Sequence, residues 1–184
     1  MIDNNFVHVV GIIFLAIIII GDLIINRHSQ KPLLWRLVLY SFLYYIMSVI
    51  NLTIFPIDPY NFGFIVEPQL IPFYFIYESI HYGIQSAYVY NLIMLLPLGI
   101  YIPLLFPKMR NVIKTTLVGL FFSIIIEITQ LITNRTFGAM RQFNVDDLIL
   151  NTLGTALGFF IFCLLWKILI KYRIHAYLDR QEKA

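Results

Sequence analysis

The chain has 184 residues, of which 60% are hydrophobic, 16% aromatic and only 12% charged, and its mean hydropathy is +0.81. A soluble domain is roughly 45–50% apolar and about 25% charged, so this sequence lacks the charge to cover a globular surface in water. A soluble enzyme, a disordered protein and a nucleic-acid binder are set aside, and the single cysteine, Cys163, excludes an intramolecular disulfide and a multi-cysteine metal site.

What remains is an all-α integral membrane protein with one domain over 1–184. An apolar run of about 20 residues crosses a hydrocarbon core roughly 30 Å thick. Five runs qualify: 6–25, interrupted near its end by Asp22, then 34–55, 87–106, 112–132 and 147–170. The first is read as a retained span rather than a signal peptide, because Asp3 and no Lys or Arg precede it and no A-x-A site follows. Between the second and third runs, Pro56, Pro59, Pro68 and Pro72 stop a sixth span. Residues 73–85 there predict a short interfacial helix, with Phe73, Phe75, Tyr77 and Tyr82 at headgroup level.

Lysine and arginine orient the bundle. Arg27, Lys31 and Arg36 follow the first run, Lys108, Arg110 and Lys114 follow the third, and Lys167, Lys171, Arg173, Arg180 and Lys183 end the chain. With five alternating spans these fall on one side, leaving only Arg135 and Arg141 opposite, where Asp3, Asp58, Glu67, Glu78, Asp146 and Asp147 also lie. The N-terminus is therefore expected outside, and 171–184 forms a basic cytoplasmic tail. The net charge of +3 and pI near 9.0 are a topology signal rather than a nucleic-acid signal.

An ionisable side chain at mid-bilayer costs roughly 2.5–3.5 kcal/mol on insertion scales, which makes it a functional candidate. Glu127 is the clearest case, about 9 Å below the outer end of the fourth span by helical rise. Gly119, Ser123, Glu127, Gln130 and Asn134 make one small and polar stripe on that helix. Asp147, Asn151, Gly154, Thr155 and Gly158 make a matching stripe on the fifth, in which Gly154 and Gly158 form a GxxxG that lets another helix approach. Asn91 opens the third span on the outer side, and Pro97 and Gly99 are expected to kink it. Ser48, Asn51 and Thr53 close the second span at the same level.

These placements predict a polar pocket opening outward in the outer leaflet. Its expected ligand-binding residues are Asn91, Glu127, Gln130, Arg141, Asp146, Asp147 and Asn151, with Arg141 as counter-ion to an acid or as a bidentate phosphate contact. Glu127, Asp147 and Asp146 are the catalytic candidates, and Gly154 and Gly158 the packing residues. Structural roles stand beside these. Asn144 fits an N-cap, with Asp146 and Asp147 as first-turn acids. Asn151 and Gln130 also fit as interhelical glue, and Glu127 as a partner of Arg141. Asp22 is expected to reach Arg27 or water. His8, His28, His81 and His175 show no metal-ligand spacing. No metal and no cofactor are expected, and no G-x-S-x-G, Walker loop or CxxC is present.

Three blocks resemble the VanZ-like family of bacterial membrane proteins. They are Asn91 to Gly99 on an N-x-x-x-F/L-x-P-x-G pattern, Ser123 to Gln130 on S-x-x-x-E-x-x-Q, and Arg141 to Gly158 on R-x-x-D-x-D-D-x-x-x-N-x-x-G. Asn51 to Pro56 and Leu70 to Phe73 fit more loosely, so the blocks cover roughly 51–158. Asn144 departs from the pattern where an acid is common, which removes one negative charge from the cluster. The resemblance implies a multi-pass protein of the bacterial plasma membrane, mostly of Gram-positive bacteria, in a family whose founding member is associated with teicoplanin resistance.

Two main readings follow. One is a non-enzymatic factor that lowers susceptibility to lipoglycopeptides by engaging the drug, a membrane lipid or the lipid-linked wall precursor. The other is an enzyme acting on a lipid-linked cell-envelope substrate, with Glu127 as general base. Five spans without a repeat, and an inner half without polar residues in the last three spans, argue against a transporter.

Overall fold

The computed structural model describes residues 4–25, 33–54, 66–137, 142–172 and 174. Arg141, Arg27 and most of the expected tail over 171–184 lie outside the described residues. The elements are α1 (Asn4–Ile25), α2 (Leu33–Ile54), α3 (Tyr74–Tyr82), α4 (Ser86–Met94), α5 (Leu96–Leu105), a 3-10 turn (Pro107–Met109), α6 (Val112–Phe137) and α7 (Val145–Lys171). Among the described residues there is no β-strand, only one backbone bridge, between Gln69 and Asn144.

Four helical stretches are long and apolar enough to cross a membrane: Leu33–Ile54, Ser86–Leu105, Val112–Phe137 and Val145–Lys171. Helix α1 is also apolar over its 22 residues, Asn4–Ile25, with side chains described over 9–22. Over the described residues the molecule is thus an all-helical, multi-pass membrane protein with four such spans and the further apolar helix α1. Exposed Ile, Leu and Phe cover α1 and the outward faces of α6 and α7, a surface that water would not tolerate and lipid does.

Helix α7 sits at the centre and packs on α4, α5 and α6. Three glycines set that contact. A Cβ on Gly154 or Gly158 would overlap the carbonyl oxygens of Leu92 and Leu96, and one on Gly99 would overlap the Thr155 carbonyl. The backbones of α7 and the α4–α5 pair therefore touch directly, as small residues permit. Leu95, Leu98, Ile102, Val49 and Ile126 fill the apolar core beside this crossing.

The third expected span breaks into α4 and α5. The break falls at Leu95 rather than at Pro97 or Gly99. Pro97 lies in the first turn of α5, where its missing N–H costs nothing. The residues ahead of it must leave the helical ladder, because a proline disfavours α geometry before it. Carbonyls at the break also meet side chains of neighbouring helices. The Tyr45 hydroxyl of α2 donates to Met94 O at 2.8 Å, and the Thr155 hydroxyl of α7 donates to Leu95 O at 3.3 Å. A broken span is stable in lipid only when neighbours satisfy its backbone in this way.

Helix α1 packs on α2. Asp22 accepts from Arg36 Nε at 2.6 Å and from the Tyr40 hydroxyl. One helical turn of α2 thus presents both donors, while the expected partner Arg27 lies outside the described residues. At the same end of the bundle the Arg110 guanidinium lies 3.8 Å from the centre of the Trp166 ring, and its Nε donates to Pro103 O at 3.1 Å.

Candidate functional site

The opposite end of the bundle gathers the polar residues, and a non-helical strap over 66–73 organises them. Gln69 runs beside the start of α7: its N–H donates to Phe143 O at 2.9 Å, and its carbonyl accepts from Val145 N at 3.1 Å. Side chains pin the strap further. Asn134 Nδ2 donates to Val66 O at 2.9 Å, and Gln142 Nε2 donates to Glu67 O at 2.8 Å.

Asp146 anchors the strap to helix α3. Its carboxylate is 1% exposed and accepts from Phe73 N at 2.6 Å and from Phe75 N at 2.7 Å. Phe73 is the N-cap of α3, has φ of 64°, and offers no side-chain cap of its own. Asp146 supplies that cap from another helix. An anion at a helix N-terminus meets unpaired N–H groups and the positive end of the dipole. Two charge-assisted bonds also hold an aromatic residue in a backbone region that it rarely visits. Asn144 is the N-cap of α7, its side chain accepting from Asp146 N at 2.9 Å.

Glu127 is also 1% exposed. It accepts the Asn144 N–H at 2.9 Å, so it joins α6 to the turn that opens α7. Below it, Asn151 Nδ2 donates to Ser123 Oγ at 3.0 Å, and Thr155 packs against Gly119. These residues make a buried polar seam between α6 and α7. Gln130 lies one turn further along α6 and donates to Thr53 O of α2 at 3.1 Å.

Beside this seam is a cavity of about 840 Å³. It is walled by α4 and α3, by the ends of α2, α6 and α7, and by the strap. Asn91, Gln130, Asp146 and Asp147 line it; Glu127 and Asn151 are not among the lining residues. The sequence-predicted residues therefore divide between the cavity and the seam behind it. Asp147 meets the Asn91 amide. On the far wall stands Glu78 of α3, which accepts from the Tyr88 hydroxyl and from Gln85 Nε2 at 3.2 Å. Sequence reasoning missed Glu78, Gln85 and Tyr88 as site residues. The signal for Glu78 was present, as it is the one carboxylate in the aromatic segment 73–82. Among the described residues the lining contains no Lys, Arg or His; Arg141 lies outside them.

Among the described residues no group of three His, Cys, Asp or Glu is arranged for a metal ion. Chemically, the cavity offers hydrogen-bond acceptors, neutral amides and tyrosine faces beside apolar Leu52, Ile93 and Met94. That combination suits an amphiphile. A model of the VanZ/LLP1 family matches residues 37–167, while no curated protein and no solved structure matches the chain.

Proposed function

The chain belongs to the VanZ/LLP1 family, and we propose that it is a plasma-membrane factor that lowers bacterial susceptibility to lipoglycopeptides such as teicoplanin. In this reading five spans cross the membrane with the N-terminus outside, and the cavity opens toward the outer leaflet. There it engages an amphiphile of the cell envelope, either the acyl-bearing drug or the lipid-linked wall precursor. The observation that carries the reading is the cavity of about 840 Å³ at the polar end of the bundle, mixing acids, amides and tyrosines with apolar side chains. Teicoplanin differs from vancomycin by an acyl tail, and such a tail partitions to that depth.

Within this reading Asp147 contacts the ligand, and Glu127 positions Asn144 behind it. Inhibitory concentrations of teicoplanin and vancomycin test this in a sensitive host with matched membrane levels. Wild-type protein is expected to raise the teicoplanin value and spare vancomycin, and Asp147→Asn to abolish the gain. Glu127→Gln should retain part of it, because an amide oxygen still accepts the Asn144 N–H. No change on expressing the wild type would remove the resistance reading.

The enzymatic alternative keeps one supporting observation: Asp147 is a carboxylate that reaches the cavity, beside Asn91. Glu127, the earlier general-base candidate, lacks that access. Turnover of a lipid-linked precursor by purified protein, lost in Asp147→Asn, would favour this alternative over binding alone.

A further inference from the structure

The acids that line the cavity differ in how their charge is met. Asp146 is taken up by two backbone N–H groups at the start of α3. Among the described residues Glu78 is met by a tyrosine hydroxyl and a glutamine amide, and Asp147 by an asparagine amide. All the donors to Glu78 and Asp147 that the structure describes are neutral, and among the described residues the lining contains no cationic side chain, Arg141 lying outside them. Gln69 adds a third acceptor: its Oε1 is buried and has no hydrogen-bond partner, although the residue lines the cavity. Carboxylates held in a membrane-embedded cavity without a cation are costly, and an orphaned carbonyl adds to that cost. A ligand that brings positive charge and N–H donors removes both costs.

The walls describe the rest of the ligand. The lining follows α4 from Ala87 to Met94, roughly 10 Å of helix by its rise. Tyr88 stands near the Glu78 end of that run, and Ile93 and Met94 close it, joined by Leu52 from α2. Tyrosine faces attract cations, and the apolar end accommodates hydrocarbon.

We propose that the cavity binds an amphiphile bearing a primary ammonium headgroup, with Glu78 and Asp147 as its charge partners and Gln69 as a hydrogen-bond acceptor. A primary ammonium carries three N–H donors and no acceptor, which matches a lining rich in acceptors. This specifies the ligand class of the cavity identified above and rests on that cavity being a binding site.

Calorimetry on the full-length protein in maltoside micelles tests it with four short probes: hexylammonium, hexyl phosphate, hexanol and methylammonium. Hexylammonium is expected to bind. Glu78→Gln and Asp147→Asn should each weaken it roughly tenfold, the loss of one charged hydrogen bond. Glu67→Gln, an exposed acid outside the lining, should leave it unchanged. Ala87→Trp, which fills the cavity, should abolish binding. If hexanol or hexyl phosphate binds as well as hexylammonium and Ala87→Trp removes both, the cavity is a binding site and the ammonium assignment is wrong. If methylammonium binds equally, the ligand is a soluble amine and the amphiphile is wrong. If no probe binds, the cavity reading falls with the proposal.

Discussion

The carboxylates of Asp146 and Asp147 adjoin in the chain, yet one is spent on backbone and the other faces the cavity. Asp146 accepts from Phe73 N and Phe75 N, and both its oxygens are needed. An amide in its place keeps the shape but offers one acceptor, so one of the two N–H groups then faces an NH2. Asp146→Asn is expected to destabilise the protein by about 1–3 kcal/mol, the cost of a buried donor left unmet. The loss should be local. Amide hydrogen exchange should rise in 66–82 while α5 to α7 keep their protection. Unchanged exchange in the strap would show that Asp146 does not hold it. The sequence showed these acids at the first turn of α7, and the Asn144 cap was legible from its type and position. That one acid would cap a second helix was not legible, because the partner donors are main-chain groups whose placement depends on a non-helical segment. The same holds for Glu127: its depth follows from helical rise, whereas its bond to Asn144 N depends on how the chain turns into α7.

At the level of elements, the glycines separate packing from mere permissiveness. Gly158 lies against Leu96 O, and a Cβ there has no room, because the obstacle is backbone rather than a flexible side chain. Gly158→Ala should force α7 away from the α4–α5 pair and cost about 1–3 kcal/mol, as overpacking does. Gly21 in α1 has nothing within 4 Å of an added Cβ. Gly21→Ala should leave stability unchanged or raise it by up to about 1 kcal/mol, because alanine suits a helix better. Thermal unfolding of both variants in the same micelles measures the contrast, and an equal effect would refute the packing argument. Apolar run lengths located the helices well, since lipid demands long uninterrupted stretches. The run 87–106 conceals its break, because the hydropathy of Leu95, Leu96 and Leu98 is the same in one helix or two. Only Pro97 marks it, and the Met94 and Leu95 carbonyls at the break meet Tyr45 and Thr155, residues distant in sequence.

Across the whole molecule most described charges separate by end, with Arg135 in the last turn of α6 and Asp22 beside Arg36 as exceptions. Lys108, Arg110, Lys114, Lys167 and Lys171 lie toward the end where α5 finishes, α6 begins and α7 finishes, whereas Glu67, Glu78, Asp146 and Asp147 lie toward the other. Basic residues favour the cytoplasmic side, so the cavity end is expected outside. Cysteine labelling checks this in a Cys163→Ser background. A cysteine at Glu67 should react with an impermeant maleimide in intact cells, and one at Lys114 only after permeabilisation; both positions are exposed. The reverse pattern would invert the topology and remove the cavity from the outer leaflet. Whether α1 completes a fifth span is a separate question, since Asp22 interrupts its apolar run near the end. Asp22 alone would oppose insertion, but Arg36 and Tyr40 meet its carboxylate, and pairing lowers the cost of an acid in lipid. An N-terminal epitope should therefore be accessible in intact cells. If the epitope is protected while the Glu67 position still labels, α1 does not cross, and four spans carry the cavity without it.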